Sequence, residues 1–342
     1  MRPNAPGRPL AVAVGLSVMI FALIYILLHY PIIVRTSEVK TTTMSSMVEA
    51  TTEENLLDQV GNRYQIPDIH TPLLYELELK TDVSFGNKNF TIEGRLNLTF
   101  TSGGGRHIYL HSTDQHFGEC SLRDEFNRTI QVNKVSREHA EIVEFVIEDE
   151  MICNMNYTLD IAYSGHIFQD RQNKFFTTHY WVNGDRRNLA VTHLQQNLAR
   201  SVFPCIDVPE AKAVFKATVV HPRGTTALSN TMETEIDDVD GNWTTTSFSP
   251  TPPMSTYLFA VIVSDFPCFE RYTAKGIRLR IYGDPKRLND THLMFDSIEP
   301  ILDFFEDYFR IPYPLNKLAV PRVADCFGTR QGSYVIEAAV AT

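Results

Sequence analysis

The sequence predicts a mainly β protein. It reads as an amino-terminal membrane-spanning helix, then an antiparallel β domain of two packed or curved sheets, then the opening of an α/β unit. Three observations predict this. An apolar run of about 20 residues near the start carries no charge, long enough to cross a bilayer. A long series of segments with period-two alternation follows, each bounded by turn residues. After Glu270 the pattern changes to strand, helix, strand.

The apolar run is Pro9 to Leu28, PLAVAVGLSVMIFALIYILL. At ~1.5 Å per residue it spans ~30 Å, the hydrocarbon thickness of a bilayer. A cleaved signal peptide would have an apolar core of ~7–15 residues and end on small residues. This run is longer and ends in Leu28-His29-Tyr30-Pro31, so residues 9–30 are expected to be an uncleaved signal-anchor in contact with lipid. Residues 1–8, with Arg2 and Arg8, are the expected cytoplasmic tail by the positive-inside rule. The bulk is then extracellular or lumenal, a single-pass type II arrangement in the plasma membrane or a secretory-pathway membrane. Residues 31–65 include TTTMSSMVEATTEEN and have no apolar period, which suits a solvated stalk.

Residues 66–270 form the predicted β domain. Tyr75-Glu76-Leu77-Glu78-Leu79-Lys80 alternates, as does Phe90 to Phe100. Further strands are expected over 107–111, 130–135, 141–147, 157–163, 174–181, 213–220, 225–229, 244–249 and 258–264. Gly103-Gly104-Gly105, Gly184-Asp185, Pro222-Arg223-Gly224 and Asp240-Gly241-Asn242 supply the turns between them. Residues 271–342 begin with a strand over 276–282. A helix capped by Asn289 or Asp290 then runs to about Phe309, with Leu293, Met294, Ile298, Ile301, Leu302, Phe305 and Phe309 on a wide apolar face. Pro300 should kink it and Pro312 should stop it. A strand over 317–323 follows.

The net charge of −10 argues against nucleic acid as a partner, since a phosphate backbone needs a basic face. The five cysteines form no CxxC, so no zinc ribbon or thioredoxin-like site is expected. Cys205 reads as a buried thiol, and Cys120 with Cys153 is a candidate disulfide. Six N-x-S/T triplets, at Asn89, Asn97, Asn127, Asn156, Asn242 and Asn289, exceed the roughly two expected by chance. All lie beyond the anchor, as glycosylation sites of an exported domain would. Asn97 is the weakest, being in mid-strand.

One segment has neither helical nor strand period: Thr192 to Phe215, THLQQNLARSVFPCIDVPEAKAVF. It sets Arg200, Asp207, Glu210 and Lys212 among Phe203, Pro204, Cys205, Ile206 and Pro209. Charges inside a proline-pinned apolar loop must be paired to be tolerated, so a rigid, partly buried crossing loop is expected.

This segment resembles the signature loop of the aminopeptidase N family, the gluzincin zinc aminopeptidases. The likeness runs from about Pro72 to Leu318. It includes Ala227-Leu228-Ser229-Asn230, Pro253 to Leu258, and Tyr308 to Leu315. The resemblance implies that residues 271–342 are the truncated beginning of a thermolysin-like catalytic domain. It also implies a zinc ion in the full-length family, held by the histidines of an HExxH helix and a later glutamate. A GAMEN-like strand there binds the peptide's free amine. Zinc lowers the pKa of its bound water from about 15.7 to about 7, which makes a nucleophile at neutral pH.

This chain contains no HExxH. Its one pair of histidines four apart, His107 and His111, lies in a strand pattern. Their Cα atoms would be ~13 Å apart at ~3.3 Å per residue, too far to share one zinc. Aligned without gaps, Gly332 stands at the amine-binding glutamate of GAMEN, and a one-residue shift puts Gln331 there. Neither is a carboxylate. His193 replaces a substrate-contacting glutamine, and Val208 a glutamate. No catalytic residue, no metal ligand and no cofactor is therefore expected in this chain. The expected product is a catalytically inactive, membrane-anchored fragment with a binding or modulatory role toward peptides or a full-length aminopeptidase-like partner. The alternative is an incomplete record or short isoform of a zinc metalloaminopeptidase that removes amino-terminal residues from peptides.

Overall fold

Thr71–Thr81 shows why the early strands form. Tyr75, Leu77, Leu79 and Thr81 are buried while Glu76, Glu78 and Lys80 face outward, the two-residue period of a sheet with one solvated face. Its neighbour Thr91–Thr101 buries Ile92, Leu96, Leu98 and Phe100. Gly94 shares that inward face, where the Tyr163 ring lies so close that a Cβ would come within 2.2 Å of it. The computed structural model describes residues 66–67, 69–83, 90–139, 141–169, 173–182, 185–283, 291–323 and 333–334. The expected anchor at 9–30 and stalk at 31–65 lie outside them. Among the described residues, no helix is long and apolar enough to cross a membrane.

The chain is mainly β, as expected, and its described residues form four sheets. The largest has eight strands, in the order Glu233–Val239, Trp243–Phe248, Val214–Pro222, Thr71–Thr81, Thr91–Thr101, Asn156–His166, His116–Asp124, Thr129–Ile130. A three-stranded sheet comprises Gly105–His111, Ile142–Met151 and Val132–His139. A five-stranded sheet runs Thr226–Ser229, Val261–Ser264, Asp185–His193, Lys174–Val182, Phe168–Gln169. These three sheets share one core, to which Leu77, Leu98 and Val219 contribute from the first, Leu110 and Phe145 from the second, and Phe175, Ala190 and Val263 from the third.

The fourth sheet holds Cys268–Tyr272, Arg278–Tyr282, Lys317–Val323 and Ser333–Tyr334. Tyr282 and Ala319 on one face meet Phe176, Tyr180, Leu189 and Val191 of the five-stranded sheet. Leu279, Ile281, Leu318 and Val320 on the other face pack under Phe295, Met294, Ile298 and Leu302 of the helix Thr291–Phe309. The helix contains Pro300 and ends before Arg310, which takes a left-handed φ of 59°. Its expected capping residues, Asn289 and Asp290, lie outside the described residues.

Several expectations need correction. The β domain is not wholly antiparallel: Thr71–Thr81 pairs parallel with Val214–Pro222, with Leu77 opposite Ala217. Parallel neighbours need a long crossover, and here most of the β domain is that crossover. The β core has three sheets rather than two. Four strands of five or more residues lacked a sequence signature: His116–Asp124, Asp185–His193, Glu233–Val239 and Cys268–Tyr272. Glu233–Val239 and Cys268–Tyr272 are exposed nearly throughout, so ladder hydrogen bonds rather than apolar burial hold them, while His116–Asp124 mixes exposed and half-buried positions and buries Leu122 in the core. The fourth is exposed in its first half and continuously buried in its second. Finally, Ile301, Phe305 and Phe309, assigned above to the packed helix face, are exposed.

Candidate functional site

The segment Thr192–Phe215 is the hub of the β core. It leaves the five-stranded sheet at His193, makes a short 3-10 turn at Ala199–Ser201 and enters the eight-stranded sheet at Val214. The Arg200 side chain is 6% exposed and that of Asp207 1%. Arg200 Nε donates to Asp207 Oδ2 at 3.0 Å, Nη2 to the Asp207 carbonyl at 3.1 Å, and Nη1 to Glu141 Oε2 at 2.8 Å. Thr256 Oγ1 donates to the other Asp207 oxygen at 2.6 Å. The Asp207 backbone N–H donates to His111 Nδ1 at 3.1 Å, and the Ile206 N–H to the Tyr75 hydroxyl at 3.1 Å. Beneath lie Tyr75, Phe203, Phe215 and Phe259, with Tyr75 stacked on Phe215 at 4.9 Å and Phe203 edge-on to Phe259 at 5.3 Å. Buried ions paired with each other and held by this many hydrogen bonds are a structural arrangement, not a reactive one. The expected pairing therefore holds for Arg200 and Asp207, and Glu210 and Lys212 are placed at the surface rather than inside the loop.

Cys205 is fully buried beside this pair. Burial pushes its thiol well up, and the Asp207 charge adds to that, so it is a poor nucleophile. The other expected pairing fails, because Cys120 and Cys153 are both free thiols. Cys120 stands opposite Ile161 in the eight-stranded sheet. Cys153 lies in the turn ahead of Asn156, five residues further down that partner strand. At ~3.3 Å per residue this separates them by well over the ~7 Å that a disulfide tolerates.

Of the residues matched to substrate contacts, His193 is described. It ends the strand Asp185–His193, half-buried and paired with Lys174. Side chains two apart share a sheet face, so His193 belongs to the face of Leu189 and Val191, the face turned to Tyr282 and Ala319 of the fourth sheet. Lys174 beside it reaches the Asp114 carboxylate at 3.9 Å and lies 4.5 Å over the Phe168 ring. Further along that face Tyr180 donates to Asp265, and Arg187 pairs with the same carboxylate at 3.2 Å. Thr192 is committed to structure, its hydroxyl joining both the N–H and the carbonyl of Val261. Gln331 and Gly332 lie outside the described residues. They directly precede Ser333–Tyr334, which pairs antiparallel with Arg322 and Val323.

The described residues do not fit a zinc ion. Among them, no group of three or more His, Cys, Asp or Glu could hold a metal. His107 Nδ1 is 2.7 Å from Glu144 Oε1, which also accepts from the Tyr109 hydroxyl. His111 is turned into the hub. Of the expected glycosylation sites, Asn127, Asn156 and Asn242 are exposed, and Asn127 forms a turn with φ of 63°. Asn97 is half-buried in mid-strand between Glu76 and Asp160. Asn89 and Asn289 lie outside the described residues.

The model of the Peptidase M1 N-terminal domain matches residues 71–258, which takes in the hub and every strand of the three sheets around it except Val261–Ser264. The chain belongs to the M1 peptidase family. It is 30% identical over 289 residues to aminopeptidase N of Oryctolagus cuniculus, covering 80% of this chain and 29% of that protein. It is 33% identical over 263 residues to aminopeptidase N of Haemonchus contortus, with 74% and 27% covered. Aminopeptidase A of Gloydius brevicauda is 30% identical over 271 residues, with 78% and 28% covered. The chain thus spans under a third of the length of these M1 relatives and corresponds to an amino-terminal portion. The hub had a sequence signal, namely charges among prolines and aromatics. The Lys174–Asp114 contact beside His193 had none, because its two residues come from distant segments.

Proposed function

We propose that these residues form the β platform of a membrane-anchored M1 aminopeptidase-like ectodomain, and that they act in binding rather than in peptide hydrolysis. The observation that carries this reading is the absence of HExxH from all 342 residues. Peptide cleavage of the M1 type needs a metal-activated water, and the described residues offer no cluster to hold the metal. Gln331 or Gly332 stands in place of the amine-binding glutamate, so the salt link to a peptide's ammonium is lost as well. His193 supports a role as one wall of a peptide-binding groove, from the face it shares with Leu189 and Val191. Arg200 and Asp207 serve that wall by fixing the segment that follows it. Residues 9–30 anchor the chain as a single-pass type II protein of the plasma membrane or a secretory membrane. The uncharged run there and the sequons beyond it support this. The partner is a peptide or a full-length aminopeptidase-like protein.

The test is metal content and turnover of aminoacyl arylamides by the purified ectodomain. The expected result is no stoichiometric zinc and no hydrolysis. One bound zinc with chelator-sensitive turnover would overturn the reading.

A second reading is favoured by one observation, the exposed aromatic face of the helix Thr291–Phe309. A further body of protein would cover it, as in an incomplete record of a zinc aminopeptidase that removes amino-terminal residues. An in-frame HExxH in the transcript beyond the codon for Thr342 would decide for this second reading.

A further inference from the structure

The seam between the eight-stranded sheet and the fourth sheet is held largely by charge. Glu233 opens the strand Glu233–Val239 and stands opposite Phe248. Its side chain is 11% exposed, and its Oε1 accepts from Arg280 Nη1 at 3.0 Å and from Lys317 Nζ at 3.2 Å. Oε2 lies 3.6 Å from Arg278 Nη1. All three cations belong to the fourth sheet. The Lys317 side chain is 1% exposed and its ammonium lies 5.4 Å over the Phe248 ring. Among the described residues, no other acid forms an ion pair with it. Arg278 and Arg280 share a second carboxylate, Glu270, at 2.7 and 2.9 Å. The apolar contact of the fourth sheet with the platform lies elsewhere, where Tyr282 and Ala319 meet the five-stranded sheet.

We propose that Glu233 is an electrostatic latch: its carboxylate seats the fourth sheet on the β platform, and neutralising it loosens that sheet while the platform stays folded. The asymmetry of the cluster makes this specific. Removing Glu233 leaves a buried ammonium with no counter-ion and two arginines with one carboxylate. Removing Lys317 leaves Glu233 still paired with Arg280 and Arg278. An uncompensated buried charge is far more costly than a lost pair.

The other ionisable groups around the cluster are Glu270, which shares Arg278 and Arg280 with Glu233, Cys268 beside Arg280, and Tyr282, which feels the Glu233 charge. Burial alone would raise the Glu233 pKa, but Lys317 and Arg280 outweigh it and hold the carboxyl below its usual range. A depressed folded value means the latch is fully present above the unfolded carboxyl pKa. It is lost as the pH falls through the folded value.

The test is amide hydrogen exchange on the whole chain at neutral pH. In Glu233→Gln, exchange over 278–282 and 317–323 should rise about a hundredfold, with 71–81 and 91–101 unchanged. Lys317→Met should raise it by less than about tenfold, because its loss strands no charge. The double variant E233Q/K317M, which lacks the buried ammonium, should fall between the two singles. It also carries the test if E233Q fails to accumulate. Equal exchange in the double variant and K317M would overturn the latch. So would an equal rise across the platform strands in E233Q, which would make Glu233 a residue of the whole fold. Acidification should loosen 278–282 in the wild type, with no further step at that pH in E233Q.

Discussion

The hub segment and the helix Thr291–Phe309 both set aromatic rings beside charges, and they resolve the combination in opposite ways. In the hub the charges go inside. Arg200 and Asp207 neutralise one another beside the packed rings of Tyr75, Phe203, Phe215 and Phe259. In the helix the charges stay at the surface, where Lys275 binds Asp303 and Glu306, and Arg271 binds Asp296. The rings point outward as well: Phe304 is 61% and Tyr308 68% exposed, stacked on each other at 6.0 Å. The platform satisfies its own polar groups, whereas the helix presents an apolar face that the described residues do not cover. Such faces mark contact surfaces or association hazards.

The sharpest way to break this comparison is to strand one ion of the hub. Asp207→Ala leaves Arg200 with only half-exposed Glu141 and should destabilise the fold by about 3–5 kcal/mol, read by urea or thermal unfolding. Rings come next. Phe203→Ala should cost about 3–5 kcal/mol. Phe304→Ser should stay within about 0.5 kcal/mol of wild type, as surface changes do, yet reduce self-association in sedimentation at high concentration. Equal destabilisation by the two ring variants would show that the helix face is covered after all.

A smaller effect should come from His221, buried with Nδ1 at 2.8 Å from Thr225 Oγ1 and Nε2 at 2.9 Å from Thr246 Oγ1. Burial lowers its pKa, partly offset by the Pro222 carbonyl. The folded value is below the unfolded one, so the unfolded chain takes up the proton first. Stability from this group is complete above pH 6.5 and is lost as the pH falls through the folded value. Melting temperatures between pH 7.5 and 5 should therefore fall less in His221→Gln. The smallest expected effect is none. Cys153→Ser should melt within about 0.5 kcal/mol of wild type, whereas loss of a native disulfide would cost about 2–5 kcal/mol. Cys120 and Cys153 should both alkylate in denaturant without reductant.

The sequence was legible where burial alternates. Tyr75 to Lys80 and Phe90 to Phe100 declared their strands because every second side chain enters the core. The hub was legible for another reason: Arg200 and Asp207 could not stand among Phe203, Pro204 and Pro209 without meeting. Edge strands such as Glu233–Val239 were not, since ETEIDDV is exposed nearly throughout and its hydrogen bonds come from a partner. Pairings between distant segments were equally hidden. Glu233 and Lys317 are 84 residues apart, and nothing local to either predicts the other. Of the candidate site, His193 was singled out by the family resemblance, while the strand that carries it, Asp185–His193, was not foreseen. Its neighbour Lys174 came from the ladder.

The pairing of Thr71–Thr81 with Val214–Pro222 also has a consequence in time. Glu76 meets Lys216 across 140 residues of chain. At about 5–20 residues per second, that interval takes on the order of 10–30 s to synthesise. Throughout it, the first strand leaves the ribosome with one edge unmatched, because its parallel neighbour does not yet exist. Such distant pairing folds slowly, and the growing polypeptide must be shielded until the crossover is complete.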